Sequence, residues 1–372
     1  MPPSRKVVEP VLAAGCPVYL GDDALDALEA WCAGLGPAQR FFILGDERTM
    51  RHCLPELLGR VPALREADTL SIPAGEQSKS LAVCQGIWEH LARQAAERSA
   101  VLVCLGGGVV TDVGGFVASA YKRGIRVVHV PTSLMGMVDA AIGGKNGVDL
   151  MGIKNMVGTV RPPEAVYVHV PFLRTLGKRE LLNGVAEMLK HGAIGDADHF
   201  NAVCEAPLHD LQALAPLIAR SAAIKCEIVD GDPNEQGQRR LLNFGHTIGH
   251  ALEALSFEGA RRVVSHGEAV AAGMVCAAWL SWRMDRLSRE ELDLLTNVIL
   301  ERFPAYHLEG SDHHRLLALM ANDKKNTEGR FRFTLLQRIG EGVIDQEVHA
   351  AQVIDALEHY RLLVRDEPHH HS

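Results

Sequence analysis

The sequence predicts an α/β protein in which a parallel-sheet domain is followed by a mainly helical domain. In the first half of the chain, short β-branched runs alternate with helical patterns, as parallel strands joined by crossover helices do. After about residue 178 the pattern changes to long amphipathic or small-residue helices. We therefore expect two domains, 1–177 and 178–372.

Three strands and two helices are predicted in the first domain. The segments RFFILGD (40–46), AVLVCLGG (100–107) and IRVVHVP (125–131) are short and apolar, as buried strands are. Residues 80–98 and 109–124 have helical patterns. This order of elements is typical of a Rossmann-like, nucleotide-binding domain.

The second domain is predicted to be mainly α-helical. Its helices are expected at about 178–192, 208–230, 238–256, 264–286 and 288–302. Near the end, RFRFTLLQRIGEGV (330–343) has the pattern of a strand or hairpin, and a last helix is expected at about 347–363.

Composition and charge narrow the classes of function. Apolar residues make up 47% and charged residues 23% of the 372, which is ordinary for a globular enzyme. A net charge of −8 without a long basic run argues against a nucleic-acid or membrane surface. The N-terminus lacks the apolar core of a signal peptide, and no run of about 18 apolar residues could span a bilayer. We therefore expect a cytoplasmic protein.

The eight cysteines are scattered and form no CxxC pair. Reduced thiols are therefore expected, rather than disulfides or a thiolate metal site. A bound metal would be held by histidine and carboxylate ligands. The terminal HHHS is natural or a tag, so it carries no weight.

Glycine-rich segments follow the predicted strands. LGGGVVTD (105–112) joins a strand to a helix, where glycine lets the backbone approach a phosphate while helix N–H groups point at it. LGD (44–46) and PAGEQSK (73–79) also follow predicted strands, and Asp46 is placed to bind a ribose hydroxyl. The pattern is not GxGxxG, and a tight strand-to-helix turn is the alternative.

A second glycine-rich region spans VDAAIGGKNGVD (138–149) and GIKNMVG (152–158). We expect a loop in which Asp139, Lys145, Lys154 and Asn155 contact a ligand, because charges fixed on loops are commonly functional. A solvated loop is the alternative.

Three histidines stand out in LLNFGHTIGH (241–250) and SHGEAVAAGM (265–274). On one helix, Asn243, His246 and His250 would form a polar stripe at i, i+3 and i+7. His246 and His266, together with the carboxylate of Glu187, would make a zinc site that leaves coordination positions open for substrate. Sequence spacing does not establish that they meet. Ordinary buried histidines, and a surface ion pair of Glu187 with Lys190, are the alternatives.

The remaining polar residues are mostly cationic. The further candidates are four cations and one acid: Lys225, Arg239, Lys324, Lys325 and Glu235. An excess of cations suits a substrate that bears phosphate and carboxylate groups. For Lys324 and Lys325, the alternative is a charged cluster on the protein surface.

The motifs taken together resemble a known family. They are PAGEQSK, GGGVVTDVGGF, YKRGI, PTSLMGMVDAAIGGKNGVD, KNMVG, GVAEMLKHG, LLNFGHTIGHALE, SHGEAVAAGM and NDKK. Their order and spacing, over about residues 40–340, are similar to those of the sugar-phosphate cyclases, and most closely to the dehydroquinate synthase group.

The resemblance implies an N-terminal NAD domain, a C-terminal helical domain, an active site in the cleft between them, and a homodimer. It implies zinc, with cobalt as a substitute, held by Glu187, His246 and His266. For NAD, the residues implied are Asp46, Glu76, Lys79, Gly107, Gly108, Asp112, Thr132, Ser133, Lys154 and Thr175. For substrate and catalysis, they are Arg123, Asp139, Lys145, Asn155, Lys190, Lys225, Glu235, Arg239, Asn243, His250 and Lys324 or Lys325, with Arg123 reaching the neighbouring subunit.

The implied reaction converts 3-deoxy-D-arabino-heptulosonate 7-phosphate to 3-dehydroquinate and phosphate, a step of the shikimate pathway. It combines transient oxidation by NAD, phosphate elimination, re-reduction and aldol cyclisation, without net redox change. The alternatives are a natural-product cyclase (2-epi-5-epi-valiolone synthase, 2-deoxy-scyllo-inosose synthase or aminodehydroquinate synthase type), a metal-dependent polyol dehydrogenase, and a non-enzymatic zinc-stabilised binding protein.

Overall fold

A seven-stranded sheet and a set of helices account for most of the structure. The computed structural model describes residues 9–151, 153–258, 261–321 and 330–365. Lys324 and Lys325, predicted to contact substrate, lie outside the described residues.

The strands are β1 (Val11–Ala13), β2 (Cys16–Leu20), β3 (Phe41–Asp46), β4 (Asp68–Ile72), β5 (Val101–Gly106), β6 (Arg126–Pro131), β7 (Lys145–Leu150), β8 (Ile153–Val160), β9 (Ala165–Val168), β10 (Arg330–Arg338) and β11 (Glu341–His349). The helices are α1 (Ala24–Gly34), α2 (Glu47–His52), α3 (Leu54–Arg60), α4 (Leu81–Arg93), α5 (Gly108–Ala120), α6 (Lys178–Gly195), α7 (Ala197–Glu205), α8 (Leu211–Gly231), α9 (His246–Ser256), α10 (His266–Arg283), α11 (Arg289–Arg302), α12 (Asp312–Ala321) and α13 (Ala350–Arg365). None of these helices is long and apolar enough to cross a bilayer.

The chain divides into two compact units. The first comprises residues 1–181 and 207–233, and the second comprises residues 182–206 and 234–372. Helix α8 belongs to the first unit, because it packs against β1 and the turns at 136–140 and 170–175. The sequence pattern predicts that helix in the second domain, and this prediction is wrong.

The sheet of the first unit has the order β1-β2-β9-β6-β5-β3-β4, and all neighbours except β1 and β2 are parallel. The predicted α/β class and the three predicted strands are confirmed. The strand order reverses between β3 and β5, because β4 follows β3 on one side and β6 follows β5 on the other. Open parallel sheets bind ligands at the carboxyl ends of strands beside such a reversal.

The region predicted to be a glycine-rich loop forms regular structure instead. Residues Gly136–Ala140 make a π-helical turn, and β7 and β8 form an antiparallel hairpin. Within the hairpin, the side-chain amide of Asn146 donates to the carbonyl oxygens of Gly144 and Arg161, each at 3.0 Å. A Cβ on Gly158 would overlap the backbone of Asn146, so that glycine permits close strand pairing.

In the second unit, the predicted helix 238–256 is wrong as a single element. Residues Gln238–Asn243 form a 3₁₀ helix, and α9 starts only at His246. Between them, Gly245 has φ +77°, a left-handed conformation that favours glycine. A Cβ at Gly245 would lie 2.6 Å from Cγ of Met274 in α10, so the neighbouring helix also requires glycine there.

Helices α9 and α10 approach each other closely through Gly273. A Cβ at this position would lie 2.8 Å from the backbone nitrogen of Gly249 and closer still to the carbonyl oxygen of Gly245. Neither atom belongs to a side chain that could move aside. The contact therefore determines the spacing of two helices that each begin with a histidine.

We expect Gly273→Ala to lower the free energy of unfolding by about 1–3 kcal/mol, because the added methyl group must push apart two backbones. Thermal unfolding of the two variants measures the effect. The control is Gly310→Ala, where an added Cβ meets nothing within 4 Å, and which should stay within about 0.5 kcal/mol of the parent protein. Equal melting temperatures for both variants would contradict the close approach of α9 and α10.

Candidate functional site

The second unit contains a buried carboxylate surrounded by cations and imidazoles. Glu187 in α6 has no solvent exposure, and its Oε1 lies 3.6 Å from Nε2 of His246 and 3.4 Å from Nε2 of His266. Lys190, one helical turn further along α6, pairs with Oε2 of the same carboxylate. The structure therefore brings together the three residues that the sequence analysis proposed as metal ligands.

The local structure explains how residues far apart in sequence meet. His266 is the first residue of α10, and Ser265 before it caps the helix with Glu268 in a capping box. The start of α10 is attached to α6, because the backbone N–H of Gly267 donates to Oδ1 of Asn183 at 3.0 Å. His246 begins α9, so both histidines are presented from the amino ends of helices.

Burial and neighbouring charges set the protonation of this group. Burial raises the pKa of Glu187, but Lys190 and the two imidazoles lower it well below its usual range. Burial and Lys190 hold the pKa of His246 well below its usual value. Burial would also lower the pKa of His266, yet its contacts with the carboxylates of Glu187 and Glu253 raise that pKa to about 10. At pH 7 Glu187 is thus ionised and His246 neutral, which are the forms that bind metal ions, whereas His266 is protonated and must release one proton before it binds a metal.

The three side chains fit a divalent metal ion. Their ligand atoms all lie within 4.8 Å of one another. Within the described part of the chain, neither buried oxygen of Glu187 has a hydrogen-bond partner of acceptable geometry, although the imidazoles and Lys190 are near. Two histidines and one carboxylate are a donor set suited to zinc with coordination positions left open.

A small cavity of about 80 Å³ lies beside this group, and Asn243, His246 and His250 line it. The ring centroid of His250 is 5.1 Å from that of His246 and 5.8 Å from that of His266. Asn243 donates from Nδ2 to Oε1 of Glu235 at 3.3 Å. The prediction that Asn243 shares a helix face with the two histidines is wrong, because Asn243 lies before the start of α9. It nevertheless lines the same cavity, because the chain turns at Gly245.

The first unit contains a polar cluster at the carboxyl ends of its strands. The ammonium of Lys79, which is buried, lies 2.7 Å from Oδ2 of Asp112 and also donates to Oδ1 of Asn155. Lys154 pairs with Glu76 at 3.3 Å. Burial raises the pKa of Asp112 to about 6, and Lys79 opposes this rise. The cluster thus contains four residues predicted to contact NAD, namely Glu76, Lys79, Asp112 and Lys154. It also contains Asn155, which was predicted to contact substrate.

Glycines beside this cluster leave room for a ligand to approach the backbone closely. Gly107 lies between the end of β5 and the start of α5, and a Cβ there would meet Oγ of Ser133 at 3.0 Å. The side chain of Ser133 accepts from the N–H of Gly136, and Thr132 is buried at the end of β6. A glycine cradle at a helix N-terminus fits a phosphate-bearing nucleotide.

Asp46, predicted to bind ribose, has a structural role as well. Its Oδ1 accepts from the backbone N–H groups of Arg48 and Thr49, each at 2.9 Å, and so caps α2. The sequence analysis missed this role, although Asp followed three residues later by Thr is a recognisable capping pattern.

Other predicted residues of the first unit are distributed as follows. Nζ of Lys225 in α8 donates to both the backbone oxygen and Oδ1 of Asp139 at 2.6 Å. Arg123, Lys145 and Thr175 are exposed, and Arg123 has a left-handed φ of +63°. In the second unit, Arg239 is buried on the 3₁₀ helix that precedes α9.

Two contacts of the candidate metal ligands His246 and His266 were not expected from the sequence. Nδ1 of His246 lies 3.1 Å from the carbonyl oxygen of Phe244, and Nδ1 of His266 lies 3.4 Å from Oε2 of Glu253. A signal for Glu253 exists, because it follows His246 by seven residues and so lies two turns along the same helix face.

Comparison with protein families accounts for most of the chain. Residues 69–183 match the family model described as 3-dehydroquinate synthase N-terminal, and residues 184–326 match 3-dehydroquinate synthase C-terminal. The 3-dehydroquinate synthase of Parabacteroides distasonis is 42% identical over 327 residues, covering 87% of this chain and 91% of that protein.

Solved structures are similar over nearly the full length. The 2-epi-5-epi-valiolone synthase of Streptomyces hygroscopicus, with NAD⁺ and Zn²⁺ bound, has a TM-score of 0.79 at 27% identity, covering 94% of this chain and 97% of its own. A 2-deoxy-scyllo-inosose synthase complexed with carbaglucose-6-phosphate, NAD⁺ and Co²⁺ has a TM-score of 0.78 at 23% identity, covering 95% and 100%, respectively. At that lower identity, the second likeness supports the fold alone.

We expect His246→Ala and His266→Ala each to remove bound zinc, because two remaining protein ligands hold it weakly. Glu187→Gln should lose zinc less completely, since an amide oxygen is a neutral and poorer ligand. Metal analysis of the purified proteins measures occupancy, and His250→Ala is the control expected to retain zinc. Full zinc occupancy in both His→Ala variants would overturn the ligand set.

Proposed function

The chain belongs to the 3-dehydroquinate synthase family, and from that premise we propose that it converts 3-deoxy-D-arabino-heptulosonate 7-phosphate to 3-dehydroquinate and phosphate. The observation that carries this proposal is the buried group of Glu187, His246 and His266, which lies inside the segment that matches the C-terminal family model. The elimination of phosphate would make the enzyme a carbon–oxygen lyase.

Two bound groups complete the chemistry. NAD⁺, when bound, accepts and later returns a hydride, and a divalent metal such as Zn²⁺ polarises substrate oxygens. Glu187, His246 and His266 would hold the metal. The cluster of Glu76, Lys79, Asp112 and Lys154 and the glycines at 107 and 108 would hold the nucleotide.

The cations and imidazoles near the metal ligands orient the substrate and handle its protons. Lys190 keeps the Glu187 carboxylate ionised through the ion pair at Oε2. His250 lines the cavity next to His246, where a ring nitrogen can accept or donate a proton. Asn243 is oriented by Glu235 and presents an amide to the same cavity.

Residues of the first unit would serve in the same reaction. Lys225 is held by the two oxygens of Asp139, which orients its ammonium group. The resemblance assigns this lysine and Arg239 to the substrate carboxylate. Two cations assigned to the substrate favour an acidic sugar phosphate, because charge-assisted hydrogen bonds are stronger than neutral ones.

The alternatives have weaker support. The natural-product cyclase with NAD⁺ and Zn²⁺ is 27% identical to this chain, whereas the 3-dehydroquinate synthase of Parabacteroides distasonis is 42% identical. Iron-containing alcohol dehydrogenases share the fold at TM-scores of 0.66–0.67, but at 14% identity they support nothing about activity. A homodimer and a cytoplasmic location stay predictions.

Among sugar phosphates, the carboxylated heptulosonate should have the highest kcat/KM. We expect an advantage of about two orders of magnitude or more over sedoheptulose 7-phosphate and glucose 6-phosphate, since charge-assisted pairs lost together are worth roughly 3 kcal/mol or more and about 1.4 kcal/mol is tenfold. Phosphate release from the three sugars measures it.

Arg239→Met should erase most of this preference, because it removes one of the two cations assigned to the carboxylate. Arg286→Met is the matched control: its guanidinium donates to the side chains of Gln337 and Gln346, and it does not line the cavity beside His246, so the preference should remain. Equal rates for sedoheptulose 7-phosphate and the heptulosonate in the parent enzyme would refute the carboxylate assignment and favour a natural-product cyclase.

NAD⁺ should be needed only in catalytic amounts. During many turnovers, absorbance of the reduced nicotinamide should not grow steadily, because the hydride returns to the substrate within each cycle. Growth equal to the amount of product would contradict the lyase reaction and favour a polyol dehydrogenase.

A further inference from the structure

We propose that Glu253 is a positioning residue for the metal site, which fixes the orientation and tautomer of His266 so that Nε2 binds the metal. This role rests on the proposed metal site. Glu253 would act through His266, because it contacts Nδ1 of that ring, on the side opposite the nitrogen that faces Glu187.

The geometry places the ring of His266 between two carboxylates. Nε2 lies 3.4 Å from Oε1 of Glu187, and Nδ1 lies 3.4 Å from Oε2 of Glu253. The metal-binding form of the ring is neutral and carries one N–H, so donation from Nδ1 to Glu253 leaves the lone pair of Nε2 available for a metal beside Glu187. The carboxylate thus selects the nitrogen that faces the metal site.

His246 has the same arrangement with a different acceptor. Its Nδ1 lies 3.1 Å from the carbonyl oxygen of Phe244, and its Nε2 faces Glu187. Both ligand histidines therefore direct Nε2 inward and Nδ1 toward an oxygen. A carboxylate acceptor makes the ring a stronger donor to the metal than a neutral carbonyl does, and such partners typically contribute 10- to 100-fold in metal affinity.

Glu253 is held in place by backbone contacts that do not involve its carboxylate. The hydroxyl of Ser256 donates to the carbonyl oxygen of Glu253 at 2.7 Å and accepts from the N–H of Val264 at 3.3 Å. This links the end of α9 to the segment that leads into α10. The carboxylate, with 4% of the residue exposed, is consequently fixed beside the first residue of α10.

The test compares Glu253→Gln and Glu253→Met in the full-length protein. Co²⁺ and Zn²⁺ dissociation constants are measured by competition with a chromogenic chelator, and the visible spectrum of the Co²⁺ form reports coordination. Met retains the length of the side chain but accepts no hydrogen bond, so we expect a 10- to 100-fold rise in Kd and an altered Co²⁺ spectrum. Gln keeps a neutral acceptor, so its Kd should lie between those of the parent and E253M.

The matched control is Glu291→Met, which removes a glutamate of the same unit that caps α11. Its carboxylate accepts from the backbone N–H groups of Ser288 and Ile339, so E291M should lower the melting temperature while changing the Co²⁺ Kd less than threefold. A parent-like Kd and spectrum in E253M, or an equal loss of affinity in E291M, would overturn the proposal.

If E253M does not fold, E253Q decides, and an unchanged Kd with an unchanged Co²⁺ spectrum overturns the proposal. None of these measurements uses a substrate. The proposed cyclase activity can therefore fail independently. In that case the enzyme would release no phosphate, but its variants would still show the expected order of metal affinities.

Discussion

The burial of one carboxylate is the constraint on which the second unit depends. Glu187 is fully buried, and an ionised carboxylate in that position is stable only when cations or good donors surround it. Lys190, His246 and His266 meet this requirement from three helices. The side chains that compensate the charge of Glu187 also include the donor atoms that a divalent metal needs. The same contacts therefore stabilise the buried carboxylate and form the candidate metal site.

Close helix packing makes this arrangement possible. Gly245, Gly249 and Gly273 allow α9 and α10 to approach backbone to backbone, and Gly267 does the same between α10 and α6. Larger residues at these positions would overlap backbone atoms, which cannot rotate away. The glycines in GHTIGH and SHGEAVAAGM are therefore packing residues, and their effect is to fix where the histidines begin their helices.

The first unit depends on a different constraint, the reversal of strand order between β3 and β5. It leaves the carboxyl ends of neighbouring strands open, and the polar cluster around Lys79 and Asp112 occupies that edge. The hairpin of β7 and β8 contributes Asn155 to the cluster through Lys79. Regular structure thus holds residues that a flexible loop would hold less precisely.

The sequence by itself determined the α/β class, the three central strands and the change to helices after residue 178, and it singled out Glu187, His246 and His266 as candidate metal ligands. These features follow from local periodicity and from motifs that can be read in a single chain. The sequence did not show that the helix 238–256 breaks at Gly245, that residues 145–160 pair as a hairpin, or that α8 packs with the first unit. Each of these involves contacts that a local pattern does not specify: Met274 and Val270 of α10 lie against Gly245, Asn146 pairs with Thr159 across the hairpin, and α8 packs against β1. Only the tertiary structure decided that Glu187, His246 and His266 meet and that Glu253 lies behind one of them, because spacing along the chain specifies a helix face but not the helix that packs against it.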